Sequence, residues 1–336
     1  NKISMRSLNI GSQKKINSNS FNHKTGTENI DYAHKINILK KEKNAVILCH
    51  YYQSPEVQEL ADYLGDSLYL AQCAAKVTQK TIVLAGVHFM AETAKIINPS
   101  KTVLIPDLNA GCSLADSCPP KDFKKFIKKY PDSIVVSYIN CAAEIKALSD
   151  LVCTSSNAKK IIESIPINKS IIFAPDKNLG NYLIKQTGRK MILWNGSCLV
   201  HEAFSLEKII NLAKVNPDAK FIAHPEAVSS ILEIASFIGS TSALLDFVQR
   251  DSNNKYIVAT ESGILHEMQK KCPNKTFIPA PIEDETCACS ECAYMRLNTL
   301  QKIYNCLMSE SPQINLDSKL IYKSKAPIDR MLALSK

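Results

Sequence analysis

The chain has 336 residues, 45% of them hydrophobic and 22% charged, a balance that excludes a largely disordered protein. Its net charge of +9 is confined to the ends: residues 1–43 carry nine Lys/Arg against three Asp/Glu, residues 301–336 carry six against three, and the body between them cancels. Such ends read as solvated tails, no basic groove interleaved with aromatics points to nucleic acid, and no apolar run approaches the ~20 residues of a membrane span.

Twelve cysteines without a signal-peptide pattern point to a reducing compartment and to metal or redox chemistry. The cytoplasm is the first expectation, with a plastid stroma as the alternative. Residues 1–36 read as a basic, disordered arm rich in Ser, Asn and Lys, with no acid before Glu28. An amphipathic helix is expected over residues 31–43, with Ile36 and Leu39 on one side.

From Asn44 onward, short β-rich runs alternate with helix-length stretches. The runs are residues 45–49, 81–85, 102–105, 133–138, 170–174, 191–194, 220–223, 256–259 and 276–278. Alternation of this kind predicts an α/β protein with parallel sheets.

A repeat organises these runs. Leu60-Ala61-Asp62-Tyr63-Leu64-Gly65-Asp66-Ser67 aligns without a gap to residues 148–155, 88 positions later, and to residues 234–241, another 86 later. The strands on either side recur with it, and a late cysteine closes each unit: Cys112, Cys198 and Cys292. Three similar α/β/α domains are therefore expected over residues 37–124, 125–212 and 213–300, with a C-terminal helix and tail over 301–336. Ligands of parallel sheets sit beyond the carboxyl ends of the strands. His50, Tyr138, Asn140, His224 and Glu226 fall there, as do Ser67, Ser155 and Thr241 after the next segments. Units facing a common axis would gather these residues, and one cysteine from each unit, in one central cavity.

Three thiolates from distant positions suit zinc or an iron–sulfur cluster. The run Cys287-Ala288-Cys289-Ser290-Glu291-Cys292 adds a local cluster with one C-x-x-C pair. A zinc-stabilised α/β repeat binding protein and a thiol redox regulator both remain open at this point. Cys49, Cys73, Cys141, Cys153, Cys272 and Cys306 read as small buried hydrophobes, and Cys118, before Pro119, fits either role. Among the histidines, His88, His201 and His266 read as structural.

Taken in order, several motifs resemble the quinolinate synthase family. They are His50-Tyr51-Tyr52-Gln53, Gly65-Asp66-Ser67, Gly111-Cys112-Ser113-Leu114, Tyr138-Ile139-Asn140 and Cys153-Thr154-Ser155-Ser156. Ala174-Pro175-Asp176, Gly196-Ser197-Cys198-Leu199-Val200-His201, His224-Pro225-Glu226, Gly239-Ser240-Thr241-Ser242 and Cys292-Ala293-Tyr294-Met295 complete the set. Together they span residues 44–307.

The resemblance implies pseudo-threefold symmetry around a central active site holding a [4Fe–4S] cluster that acts as a Lewis acid. It implies condensation of iminoaspartate with dihydroxyacetone phosphate to quinolinate, phosphate and water, in de novo NAD synthesis. An aspartate oxidase or dehydrogenase would supply the iminoaspartate. By the same resemblance, Cys112, Cys198 and Cys292 are the cluster ligands. The substrate-binding positions are His50, Ser67, Tyr138, Ile139, Asn140, Ser155, His224, Pro225, Glu226 and Thr241. Glu226, Tyr52 and His50 carry the catalysis. Among the three C-terminal cysteines, Cys292 is expected to hold iron because it leads directly into a helical stretch, whereas Cys287 and Cys289 lie on the preceding loop and could pair.

Overall fold

The structure, a computed structural model, describes residues 31–284 and 290–336. The amino-terminal arm to residue 30, and Cys287 with Cys289, lie outside the described residues. Helix begins at Tyr32, inside the stretch expected to be arm, because Ile36 and Leu39 bury one face of the helix Tyr32–Glu42.

Three four-stranded parallel sheets follow. The first contains β1 (Ala45–His50), β2 (Tyr63–Gly65), β3 (Thr81–Ala85) and β4 (Thr102–Leu104) in the order β2-β1-β3-β4. The second contains β5 (Ile134–Tyr138), β6 (Leu151–Cys153), β7 (Ile171–Ala174) and β8 (Met191–Leu193) in the order β6-β5-β7-β8. The third contains β9 (Lys220–Ala223), β10 (Phe237–Ile238), β11 (Lys255–Ala259) and β12 (Thr276–Pro279) in the order β10-β9-β11-β12. All nine runs read from the sequence are strands. The three missed strands, β2, β6 and β10, lie inside the eight-residue repeat and are too short to display a period of their own.

The repeat is visible in single hydrogen bonds. The N–H of Asp62 donates to Ile47 O, that of Asp150 to Val135 O, and that of Ser236 to Phe221 O. These three donors occupy the same place in the three copies. In the first two units the aspartate carboxylate also accepts from the backbone N–H of Ile47 or Val135, each at 2.8 Å. The central strands are apolar and buried on both faces, as a sheet covered by helices requires.

The carboxyl-terminal segment differs from the solvated tail expected of it. The helix Ser318–Leu334 buries Ser324, Pro327, Ile328 and Met331, and joins a core that includes Val136, Val152, Ile161 and Ile96. Its lysines occupy the other face, so a basic composition conceals an amphipathic helix that binds the first two units together. The helix Leu300–Ser309 likewise packs its Ile303, Cys306 and Leu307 with Ile36 and Ile47. Among the described residues, no helix is long and apolar enough to cross a membrane.

Ile328 is fully buried in this junction. Ile328→Ala is expected to cost about 2–5 kcal/mol of unfolding free energy, measured by urea denaturation. A loss below ~0.5 kcal/mol, the scale of a surface substitution, would return the helix to the status of a solvated tail.

Candidate active site

The strand ends of the three sheets converge on one cavity. It is lined by His50 at the end of β1 and Tyr52 just after it, Tyr138 and Asn140 around the end of β5, and His224 and Glu226 after β9. Cys112, Cys198 and Cys292 also line it, as do Asp66, Ser67, His201 and Glu261. Positional equivalence through the repeat is complete: His50, Tyr138 and His224 form one set, Tyr52, Asn140 and Glu226 a second, and Ser67, Ser155 and Thr241 a third, each separated by 88 and 86 residues.

Ten of the expected site residues therefore share the cavity wall. Ser155 and Thr241 stand one step behind it: Ser155 Oγ lies 3.2 Å from His224 Nε2, and Thr241 Oγ1 lies 2.7 Å from Tyr52 Oη. Ile139 and Pro225 are buried and do not line the cavity, Ile139 belonging to the main hydrophobic core. Their neighbours on either side face inward, and alternation of the extended chain turns the middle residue away.

Local backbone geometry sets the histidine tautomers. His50 Nδ1 accepts the N–H of Tyr52 at 3.1 Å, and His224 Nδ1 accepts that of Glu226 at 3.2 Å. Each ring therefore carries its hydrogen on Nε2 when neutral. Burial keeps both rings neutral, lowering His50 to about 4 against the attraction of Asp66 and Glu226. It lowers His224 to about 3 in the same way, against Glu226.

Glu226 is the ionised group among them. Burial opposes its charge, but His201, His224 and the Tyr138 hydroxyl outweigh it and hold the carboxyl at about 2. Tyr138 donates to Glu226 Oε1 at 2.5 Å, and His201 Nδ1 lies 3.3 Å from Oε2. The expectation that His201 is merely structural is thus overturned: it lines the cavity beside Glu226 and Cys198. Its placement three residues after Cys198, on the helical turn Leu199–Glu202, is what brings it there.

The three cysteines occupy like positions. Cys112 caps the turn Ser113–Asp116, Cys198 caps Leu199–Glu202, and Cys292 precedes the 3-10 turn Met295–Leu297. Backbone N–H groups of the following residues favour the thiolate at each sulfur: Ala115 and Leu114 at Cys112, His201 at Cys198, Met295 and Tyr294 at Cys292. Burial nevertheless dominates. It pushes Cys112 up to about 12, with Cys292 adding repulsion, and raises Cys198 and Cys292 as well. In the protein alone, burial therefore disfavours the thiolate at Cys292. Nor does Cys292 lead directly into a long helix, because Asn298 and Thr299 separate its 3-10 turn from the helix Leu300–Ser309.

Thiols held uncharged by burial, yet facing N–H donors, fit a cationic metal group that would ionise them. Among the described residues, only Cys198, His201 and Glu226 bring three ligand atoms within 4.8 Å of one another. Cys112, Cys198 and Cys292 as a set are wider than that, so they suit a group of several metal atoms better than a single ion. The ten described cysteines are free, and Cys49, Cys73, Cys118, Cys141, Cys153, Cys272 and Cys306 are buried.

Two further groups complete the wall. Glu261 is buried, and its carboxylate accepts from the N–H of Cys292 at 3.0 Å and of Gly263 at 2.7 Å. Burial raises it to about 7 despite Arg296, whose Nη2 lies 3.1 Å away. The Asn140 side-chain oxygen is buried with no protein partner, an acceptor oriented for something the protein does not supply.

Comparison with known proteins agrees with this geometry. Residues 34–333 match the family model described as Quinolinate synthetase A protein. A protein of Gloeothece citriformis named quinolinate synthase is 60% identical over 301 residues, 90% of this chain and 93% of that one. Proteins of the same name from Trichormus variabilis and Chloroherpeton thalassium are each 58% identical, covering 91% of this chain and 94% and 95% of theirs.

The neutral imidazoles make stability depend on pH. The unfolded chain binds protons below the ordinary imidazole value, ~6.5, whereas folded His50 refuses them down to about 4 and His224 to about 3. Their stabilisation is complete above the unfolded value and is lost as pH falls from there toward 4 and 3. Glu261 works in the opposite sense, favouring the folded state as pH falls from about 7. The melting temperature is expected to fall between pH 6.5 and 4, and a His50→Asn, His224→Asn double variant to lose that component. An unchanged slope in the double variant would mean that the folded rings are protonated.

Proposed function

The chain belongs to the quinolinate synthetase A family, and on that premise we propose that its central cavity is where iminoaspartate condenses with dihydroxyacetone phosphate to give quinolinate, phosphate and water. One observation carries this reading: residues from all three units, with one cysteine from each, line one cavity in which Glu226 is a buried, ionised carboxylate. The activity belongs to NAD biosynthesis, and the family implies an iron–sulfur cluster.

We read that cluster as [4Fe–4S], held by Cys112, Cys198 and Cys292. When bound, it supplies a Lewis-acidic iron without a protein ligand, which assists the departure of a substrate hydroxyl as water. The remaining chemistry falls to side chains. Neutral His50 presents Nε2–H as a donor to a carboxylate or phosphate oxygen, and His224 Nε2–H is directed to Ser155. Ser67, at the first position of the helix Ser67–Ala74, adds a hydroxyl at the same wall. Asn140 offers its unpartnered oxygen to an N–H or hydroxyl of the substrate.

Glu226 is ionised in the free protein and is the general base of this reading. A carboxyl held at about 2 is a weak base. Entry of a dicarboxylate and a phosphate reverses that, since nearby negative charge and exclusion of water both raise a carboxylate's pKa. Its basicity is thus greatest when substrate is present. Tyr138, donating to Oε1, and His201, beside Oε2, hold the carboxylate plane in place. Tyr52 keeps its phenolic proton, because burial raises it well above its ordinary value, and so serves as a proton donor until a base relieves it. The compartment of this reading is the cytoplasm or a plastid stroma, where thiols stay reduced for iron.

Anaerobically purified protein is expected to be brown, to absorb broadly near ~400 nm from iron–sulfur charge transfer, and to make quinolinate from the two substrates. Glu226→Gln should keep its iron and lose roughly 10²–10⁴-fold in turnover, the usual contribution of a general base. Cys292→Ser should lose both iron and activity, while the Cys287→Ser, Cys289→Ser double variant keeps both. A colourless protein with one equivalent of zinc, or an active Cys292→Ser variant, would overturn the assignment.

A further inference from the structure

Thr260 follows β11 directly and is 1% exposed. Its hydroxyl lies 2.8 Å from Tyr52 Oη and 3.0 Å from His201 Nε2. Tyr52 follows the first strand of the first unit, and His201 sits on the last turn of the second. Thr260 belongs to the third. One buried hydroxyl therefore joins all three units at the cavity. The corresponding positions after β3 and β7 are Gly86 and Pro175, which have no hydroxyl to offer.

Counting hydrogens gives this contact a direction. On its other edge, His201 Nδ1 lies 3.2 Å from Cys198 Sγ and 3.3 Å from Glu226 Oε2. Nδ1 faces the carboxylate and so carries a hydrogen, and in that tautomer Nε2 is left as an acceptor. Thr260 then donates to Nε2, and its oxygen accepts from Tyr52. Tyr52 in turn accepts from Thr241, 2.7 Å away. Without the Thr260 hydroxyl, Nε2 becomes a buried acceptor with no donor, and the ring loses the contact that fixes its tautomer. Tyr52 loses the acceptor that aims its O–H.

We propose that Thr260 is a positioning residue for the condensation: its hydroxyl holds the Tyr52 O–H and the His201 ring in one mutual orientation, which turns the His201 N–H toward Glu226 and Cys198. This rests on the reading that Tyr52 and Glu226 handle protons in the reaction.

The test uses cluster-loaded Thr260→Val, which keeps the β-branched shape, together with Thr260→Ser, Tyr52→Phe and the Tyr52→Phe, Thr260→Val double variant. Thr260→Val is expected to lower kcat about 10–100-fold with KM within ~3-fold, the scale of a lost buried hydrogen bond to a catalytic group. Thr260→Ser should restore kcat to within ~3-fold, and the double variant should fall less far below Tyr52→Phe than Thr260→Val falls below wild type, because the Tyr52–Thr260 contact is then already lost and only the His201 contact remains to lose. A second readout is independent of turnover. The cluster's reduction potential should move negative in Thr260→Val and not in Thr260→Ser, since a freed His201 no longer aims its N–H at Cys198 sulfur. Wild-type kcat and potential in Thr260→Val, beside an impaired Tyr52→Phe, would overturn this proposal and leave the role of Tyr52 intact. Full activity in Tyr52→Phe would instead overturn the reading beneath it. Should Thr260→Val not accumulate as folded protein, Thr260→Ala takes its place, and equal kcat and potential in the Ala and Ser variants would overturn the proposal.

Discussion

The carboxylate of Asp66 is where the three units touch. Its Oδ1 accepts the N–H of Tyr69 and so caps the helix of the first unit. Its Oδ2 accepts the hydroxyls of Ser156, from the second unit, and Ser242, from the third, at 2.6 and 2.7 Å. Ser156 and Ser240 close the ring at 2.9 Å. A buried carboxylate is costly unless its lone pairs are met, and here they can be met only when all three units are in place. The same contact brings the starts of the segments bearing Ser67, Ser155 and Thr241 toward one axis. Everything that lines the cavity depends on that registration.

Symmetry supplies the positions, and its violation supplies the chemistry. The set Tyr52, Asn140 and Glu226 contains one phenol, one amide and one carboxylate at equivalent strand ends. A carboxylate in all three would concentrate negative charge where anionic substrates must enter. One carboxylate among these positions, beside a phenol and an amide, avoids that repulsion. The set His50, Tyr138 and His224 follows the same logic, with two neutral imidazoles and a phenol that donates to Glu226.

The cavity is poor in charge for its number of titratable groups. Burial keeps three thiols and two phenols protonated and two imidazoles neutral. That state is ready to accept positive metal and negative substrate together, each reducing the cost of the other. Glu261, paired with Arg296, tethers the backbone of Cys292, the last of the three cysteines along the cavity wall.

Much of this was legible along the chain. The nine longer strands announced themselves as β-rich runs, and the gapless repeat placed equivalent residues at equivalent strand ends, because a repeated local pattern folds into a repeated local geometry. The motifs around Cys112, Cys198 and Cys292 were likewise readable as one cysteine per unit. Side-chain direction was not: Ile139 and Pro225 sit within site motifs, yet their side chains do not line the cavity. Nor was the burial of the segment that ends the chain: a helix and tail were expected there, but the lysines of Ser318–Leu334 gave it the composition of a tail while Ile328 and Met331 lay in the core. His201, Thr260 and Glu261 became site residues only when three units met. The contacts of Thr260 with His201 and Tyr52 join residues 59 and 208 positions apart, and no local pattern encodes a contact made across an axis. Local sequence determined the unit and its repetition. Tertiary packing decided which hydroxyl, ring and carboxylate would face one another, because burial and hydrogen-bond satisfaction are properties of the assembled core.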